Sequence, residues 1–139
     1  MPALVTSASV EECLRRCLVS KGYTLNRVRG HGETGVDVEA RRGAEILAVE
    51  VIGYKSSGPA RAKDFYEAFF RAVSRLDDGA TQCVIALPFR FGVGLPARAK
   101  QHSVAWERIG AAFPELQIWL VDPAKEECYE NSAWCYWLR

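Results

Sequence analysis

The feature that most constrains this chain is a single acid inside an otherwise apolar run. Ile46–Ile52 is apolar except for Glu50, and a short run of this kind reads as a buried strand. Just before it, Val36-Asp37-Val38-Glu39-Ala40-Arg41 alternates strictly, the signature of a half-buried strand. Arg42-Gly43-Ala44-Glu45 joins the two as a hairpin loop. If that hairpin closes symmetrically about Gly43-Ala44, Asp37 lies directly opposite Glu50, with 12 residues between them. Side chains alternate faces along a strand, so Asp37, Glu39, Ala48, Glu50 and Ile52 share one face, while Val36, Val38, Leu47, Val49 and Val51 fill the other. Directly opposed residues have Cβ atoms about 5 Å apart, so the two carboxylates meet and repel. A buried acid is costly unless something pairs with it. The compensation is a divalent cation, a nearby Arg or Lys, or a proton, and hard oxygen ligands at this separation suit Mg²⁺ or Mn²⁺. The competing reading is an ion-pair cluster with Arg27, Arg29 or Lys55.

The rest of the chain supplies the frame. Ser9 with Glu12 forms a capping box, and Val10, Cys13, Leu14, Cys17 and Leu18 then recur at helical spacing up to Lys21-Gly22. Tyr23–Arg29 reads as a first strand, and Gly30–Gly35 as a turn. Pro59 opens a helix whose apolar stripe (Ala62, Phe65, Tyr66, Phe69, Phe70, Val73, Leu76) runs to about Leu76. Thr81–Leu87 is a buried strand, Pro96 to about Ala112 a helix, and Leu116–Val121 another buried strand. Residues 122–139 form a tail with Tyr129, Trp134, Tyr136 and Trp137, expected to cover a sheet edge or a subunit interface; a homodimer follows if those rings are exposed. The crossover helix should set strand 81–87 parallel to strand 46–52. The expected fold is a single α/β domain: an antiparallel meander plus parallel strands in a mixed sheet flanked by helices, in the order αβββαβαβ.

Charge and cysteine usage exclude several function classes. With 18 basic and 17 acidic side chains the formal net charge is +1, which argues against bulk attraction to nucleic acid but not against a local basic groove. Arg27, Arg29, Arg41, Arg42, Lys55, Arg61 and Lys63 gather near one end of the meander, where they would either neutralise DNA phosphates or sit as scattered surface charge. No run approaches the length of a membrane-spanning helix, and Met1–Glu12 lacks the pattern of a secretory signal. Five cysteines without a C-x-x-C pair fit a reduced, cytoplasmic protein, and Cys13 and Cys17 read as core residues on the buried face of the first helix. Gly30, Gly32 and Gly35 spell G-x-G-x-x-G, but an alternating strand follows instead of a helix, so a dinucleotide site is rejected.

Helix, Gly35-Val36-Asp37, hairpin, Val49-Glu50-Val51-Ile52 and aromatic-rich helix together resemble the PD-(D/E)XK, or restriction-endonuclease-like, superfamily. The glycine-rich approach Gly30-His31-Gly32-Glu33-Thr34-Gly35 is most similar to its Mrr-type branch. The resemblance covers roughly residues 9–121. It implies a metal-dependent nuclease acting on DNA, with Asp37 and Glu50 holding Mg²⁺ or Mn²⁺. The superfamily's lysine belongs two residues after the second acid, where this chain has Ile52. Lys55, if a bulge at Gly53 turns it inward, and Lys63, in the first turns of the next helix, are the candidates to replace it. Arg27, Arg29, His31 and Arg61 are the candidate nucleic-acid contacts. The alternative is a degenerate member that has kept the fold and lost the chemistry, acting as a nucleic-acid-binding or assembly module.

Overall fold

A computed structural model describes residues 5–28 and 36–138. Among these residues six strands form one sheet in the order β1 to β6, with helices on both faces. The first helix, α1 (Ser7–Ser20), begins one turn earlier than the capping-box reading places it. Thr6 is the extended N-cap, its hydroxyl accepting the Ser9 amide at 3.2 Å, so Ser9 is already inside the helix. Glu12 is consequently not a cap and pairs with Arg16 at 2.9 Å. Gly22, at φ +90°, turns the chain out of α1 in the left-handed conformation that glycine adopts without strain.

The first strand is shorter than expected. β1 spans only Thr24–Leu25, paired with β2 (Val38–Arg42). Past Leu25 one backbone bond remains, from the Asn26 amide to the Glu39 carbonyl at 3.1 Å, and side chains supply the others. The Asn26 side chain accepts the Glu39 amide at 3.0 Å, and Arg15 of α1 donates to the Asn26 carbonyl at 2.6 Å and the Asp37 carbonyl at 3.0 Å. β2 and β3 (Glu45–Val51) form the antiparallel hairpin in register Val38↔Val49 through Arg42↔Glu45, turning at Gly43 with φ +59°.

From β3 the chain crosses over through α2 (Gly58–Ser74), capped by Ser57 with Pro59 in its first turn, and a 3₁₀ turn (Arg75–Asp78). It enters β4 (Gln82–Pro88) parallel to β3, with Ala48 beside Cys83. The expected helix 96–112 is two helices, α3 (Phe91–Gln101) and α4 (Ser103–Ala112). His102 leaves helical geometry between them, and its carbonyl accepts the Trp106 amide to start the second. β5 (Leu116–Asp122) is parallel to β4.

The tail is not a loose cover. Glu127–Ala133 is a strand, β6, antiparallel to β5, and a 3₁₀ turn (Trp134–Leu138) returns the chain to the helices. Trp134 and Trp137 are buried core residues, whereas Tyr129 and Tyr136 are exposed. Trp106 and Trp134 stack at 4.0 Å between ring centroids, and each indole N–H donates to the other residue's carbonyl, at 2.7 and 2.9 Å.

Two hydrophobic layers result. α1 covers one face of the sheet with Val10, Leu14 and Leu18 against Val38, Leu47, Val49, Val84, Trp119 and Val121. α2, α3 and α4 cover the other, with Phe65, Leu95 and Trp106 against Ala48, Ile85, Leu87 and Ile118. Val36 belongs to this second layer, contrary to simple alternation, because the chain bends at Asp37 before β2 begins. No described helix is long and apolar enough to cross a membrane.

Candidate functional site

The hairpin register that pairs Val38 with Val49 sets Asp37 opposite Glu50 one step further along. Asp37 stands at the bend that opens β2, and its Oδ2 accepts the Val51 amide at 2.9 Å. Glu50 points to the α2 side of the sheet and is 3% exposed, the one charged residue so deeply placed among the described residues. The two carboxyl groups are near enough that the Asp37 carboxylate acts on Glu50.

Burial at this depth disfavours a carboxylate, and a facing carboxylate disfavours it further. Glu50 is accordingly pushed up to about 7, first by burial and then by the charge of Asp37, with Arg75 working in the opposite direction. Arg75 sits in the 3₁₀ turn that ends the crossover, and its Nε donates to Glu50 Oε1 at 3.2 Å while Nη1 reaches Asp78 at 3.3 Å. Burial alone would lower the Arg75 pKa, but Glu50 and Asp78 outweigh it and raise it. Of the three possible counterweights to the acid pair, the described chain itself provides two, an arginine and a proton on Glu50.

The lysine candidates are elsewhere. Lys55 is exposed and pairs with Asp64 at 3.1 Å, and Lys63 is exposed with Glu67 at 3.9 Å. The reason lies at Gly53. A Cβ there would come within 2.5 Å of the Val5 carbonyl, and the Tyr54 amide donates to that same carbonyl at 2.7 Å. The N-terminal segment thus pins the end of β3, and Lys55 leaves along Asp64 rather than turning in on the acids. Ile52 packs against the α2-side core. Arg75 carries no motif signal. A right-handed crossover of this length does, however, return the end of α2 to the sheet, and a basic residue there is a candidate partner for Glu50.

The basic cluster expected near the meander is largely neutralised locally. Arg41 pairs with Glu39 at 2.6 Å and Arg42 with Glu45 at 2.9 Å, while Arg27 donates weakly to the Val28 carbonyl. Arg29, His31 and the Gly30–Gly35 turn lie outside the described residues. Arg61 holds the Lys55 carbonyl at 2.8 Å and lies over the Tyr54 ring at 4.6 Å. Sequence reasoning missed its companions. Arg90 lies over the same ring at 4.2 Å, and Arg98 donates to the Tyr66 hydroxyl at 2.9 Å. Tyr54, Arg61, Arg90 and Arg98 line a cavity of about 240 Å³ just beyond the carboxyl ends of β3 and β4, the end at which parallel sheets commonly take ligands.

The donor set of the acid pair is compatible with a hard divalent cation. One oxygen of each carboxylate is engaged by the protein, Oδ2 by Val51 and Oε1 by Arg75, and one or two carboxylates are a common protein contribution to Mg²⁺ when phosphate and water complete its shell. Comparison with family models, curated proteins and solved structures found no match to this chain.

Proposed function

We propose that this chain is a restriction-endonuclease-like domain that hydrolyses DNA phosphodiester bonds at the Asp37–Glu50 pair. The observation that carries the reading is the meeting of two carboxylates across a hairpin with Glu50 buried, an arrangement that costs stability and has no packing purpose. Asp37 and Glu50 would hold Mg²⁺ or Mn²⁺, which supplies a polarised phosphate and a water of lowered pKa when bound. The Val51 amide fixes Asp37, and Arg75 fixes Glu50 while adding a permanent positive charge beside the acids. An arginine stays protonated, so Arg75 replaces the missing lysine as a charge and not as a proton acceptor. Arg61, Arg90 and Arg98 offer guanidinium groups to the phosphates of the same strand.

A second reading has its own support. Arg75 already supplies a cation to Glu50, and Ile52 stands where the superfamily places its lysine. On that reading the domain binds nucleic acid or another protein without cutting. The deciding experiment incubates supercoiled plasmid and single-stranded DNA with the protein and Mn²⁺, alongside Glu50→Gln. Nicking by the native protein that the variant loses supports hydrolysis. If both are inert across salt and pH while DNA binding persists, the binding module replaces it.

A further inference from the structure

The other face of the sheet carries a second cluster of like groups. Cys13 and Cys17 lie four residues apart on α1 and therefore on one side of it. Cys128 of β6 comes up beside them, and the three Sγ atoms all lie within 4.8 Å of one another. Its place is built by the β5–β6 turn. Asp122 Oδ1 accepts the amides of Ala124 at 3.1 Å and Lys125 at 3.4 Å, and Glu126 adopts φ +54°. Arg16 of α1 reaches Glu126 at 3.1 Å, tying that turn to the helix. None of the three thiols is in a disulfide. Cys13 is buried, and Cys17 and Cys128 are half-buried, so the cluster is shielded on one side and approachable on the other.

These dimensions suit a soft metal. With metal–sulfur bonds of about 2.3 Å, tetrahedral ligands sit about 3.8 Å apart, so the thiols need to close in by no more than about 1 Å, within the reach of small χ1 rotations. No fourth Cys, His or carboxylate joins them among the described residues, which leaves the remaining position to water or an incoming ligand. Three sulfurs and no hard donor select against Mg²⁺ and for thiophilic cations. We propose that Cys13, Cys17 and Cys128 bind one thiophilic d¹⁰ cation, zinc(II) in the first instance, on the face of the sheet opposite the acid pair. Binding exchanges protons for metal with no change of oxidation state. Each thiol forms one sulfur–metal bond and releases its proton to solvent, and three thiolates with a divalent ion carry a net charge of −1, beside Arg16.

The sequence reads Cys13 and Cys17 as packing residues because their third partner, Cys128, lies far along the chain, on a segment that reads as a tail. The test titrates Cd²⁺, then Zn²⁺ in competition with a chromophoric chelator, into the reduced, metal-stripped full chain. One equivalent of Cd²⁺ should give the ultraviolet thiolate-to-metal charge-transfer band that carboxylates cannot produce, and a large excess of Zn²⁺ should diminish it. Cys17→Ser and Cys128→Ser should each weaken binding at least tenfold, whereas Cys135→Ser, outside the trio, should leave it unchanged. Whether or not a serine variant folds, the ¹¹³Cd chemical shift of the native protein gives an independent count of sulfur ligands. No band at one equivalent, a shift inconsistent with three sulfurs, or full binding in a folded Cys17→Ser/Cys128→Ser double variant would overturn the proposal.

Discussion

The two faces of the sheet solve the same problem differently. On the α2 side, two acids are pressed together and the protein answers internally, with Arg75 on Glu50 and the Val51 amide on Asp37. On the α1 side, three thiols are pressed together and need no answer, because a neutral thiol packs as a small hydrophobe. Crowding like groups is costly only when they are charged. The acid face therefore holds electrostatic strain that depends on pH, and the thiol face holds a metal-ligand set that costs nothing while protonated.

The largest test of that contrast is to remove the internal answer. Arg75→Met should destabilise the protein by about 3–5 kcal/mol at pH 8, the cost of stranding a buried charge, and by clearly less at pH 5, where Glu50 keeps its proton. Urea denaturation at the two pH values measures both. Equal losses would mean that Glu50 carries no charge to compensate.

Next comes the acid itself. Glu50 holds its proton to about 7 in the folded protein against an ordinary 4.5, so the folded state binds more protons between those limits and stability falls as pH rises through that window. The difference corresponds to roughly 3 kcal/mol, present as a penalty above the folded pKa and absent below the unfolded one. Glu50→Gln should remove the slope, making the variant more stable than the native chain at pH 8 and no different near pH 4. Asp37→Asn acts on the same pair more gently. It should lower the pH at which Glu50 ionises, read by carboxyl carbon chemical shift, and change stability by about 1 kcal/mol. The smallest effects belong to Lys55→Ala and Lys63→Ala, each within about 0.5 kcal/mol and without effect on plasmid nicking, since both side chains are exposed and paired elsewhere. Loss of nicking in either would return the displaced cation to that lysine.

What could be read in the sequence follows from range. The β2–β3 hairpin and the opposition of Asp37 and Glu50 rest on a two-residue period across a short loop, so local pattern was enough. α2 was legible for the same reason, with Pro59 in its first turn, whereas the single helix expected over 96–112 is two. Arg75 was not, because its contact with Glu50 depends on how α2 and its 3₁₀ extension lie over the sheet, which no local period encodes. Ser9 looked like a cap because Glu12 stands three residues on, as a capping box requires, and only the extended backbone at Thr6 decides against it. β6 was missed because Glu127–Ala133 holds few apolar residues. An edge strand packed on one side by α1 needs few.

The reciprocal indole bonds of Trp106 and Trp134 give the chain a built-in gauge. Two rings held face to face at 4.0 Å form a coupled chromophore, and one of them belongs to the C-terminal turn. Exciton circular dichroism from that pair therefore reports whether the end of the chain is seated on α4, with no added label.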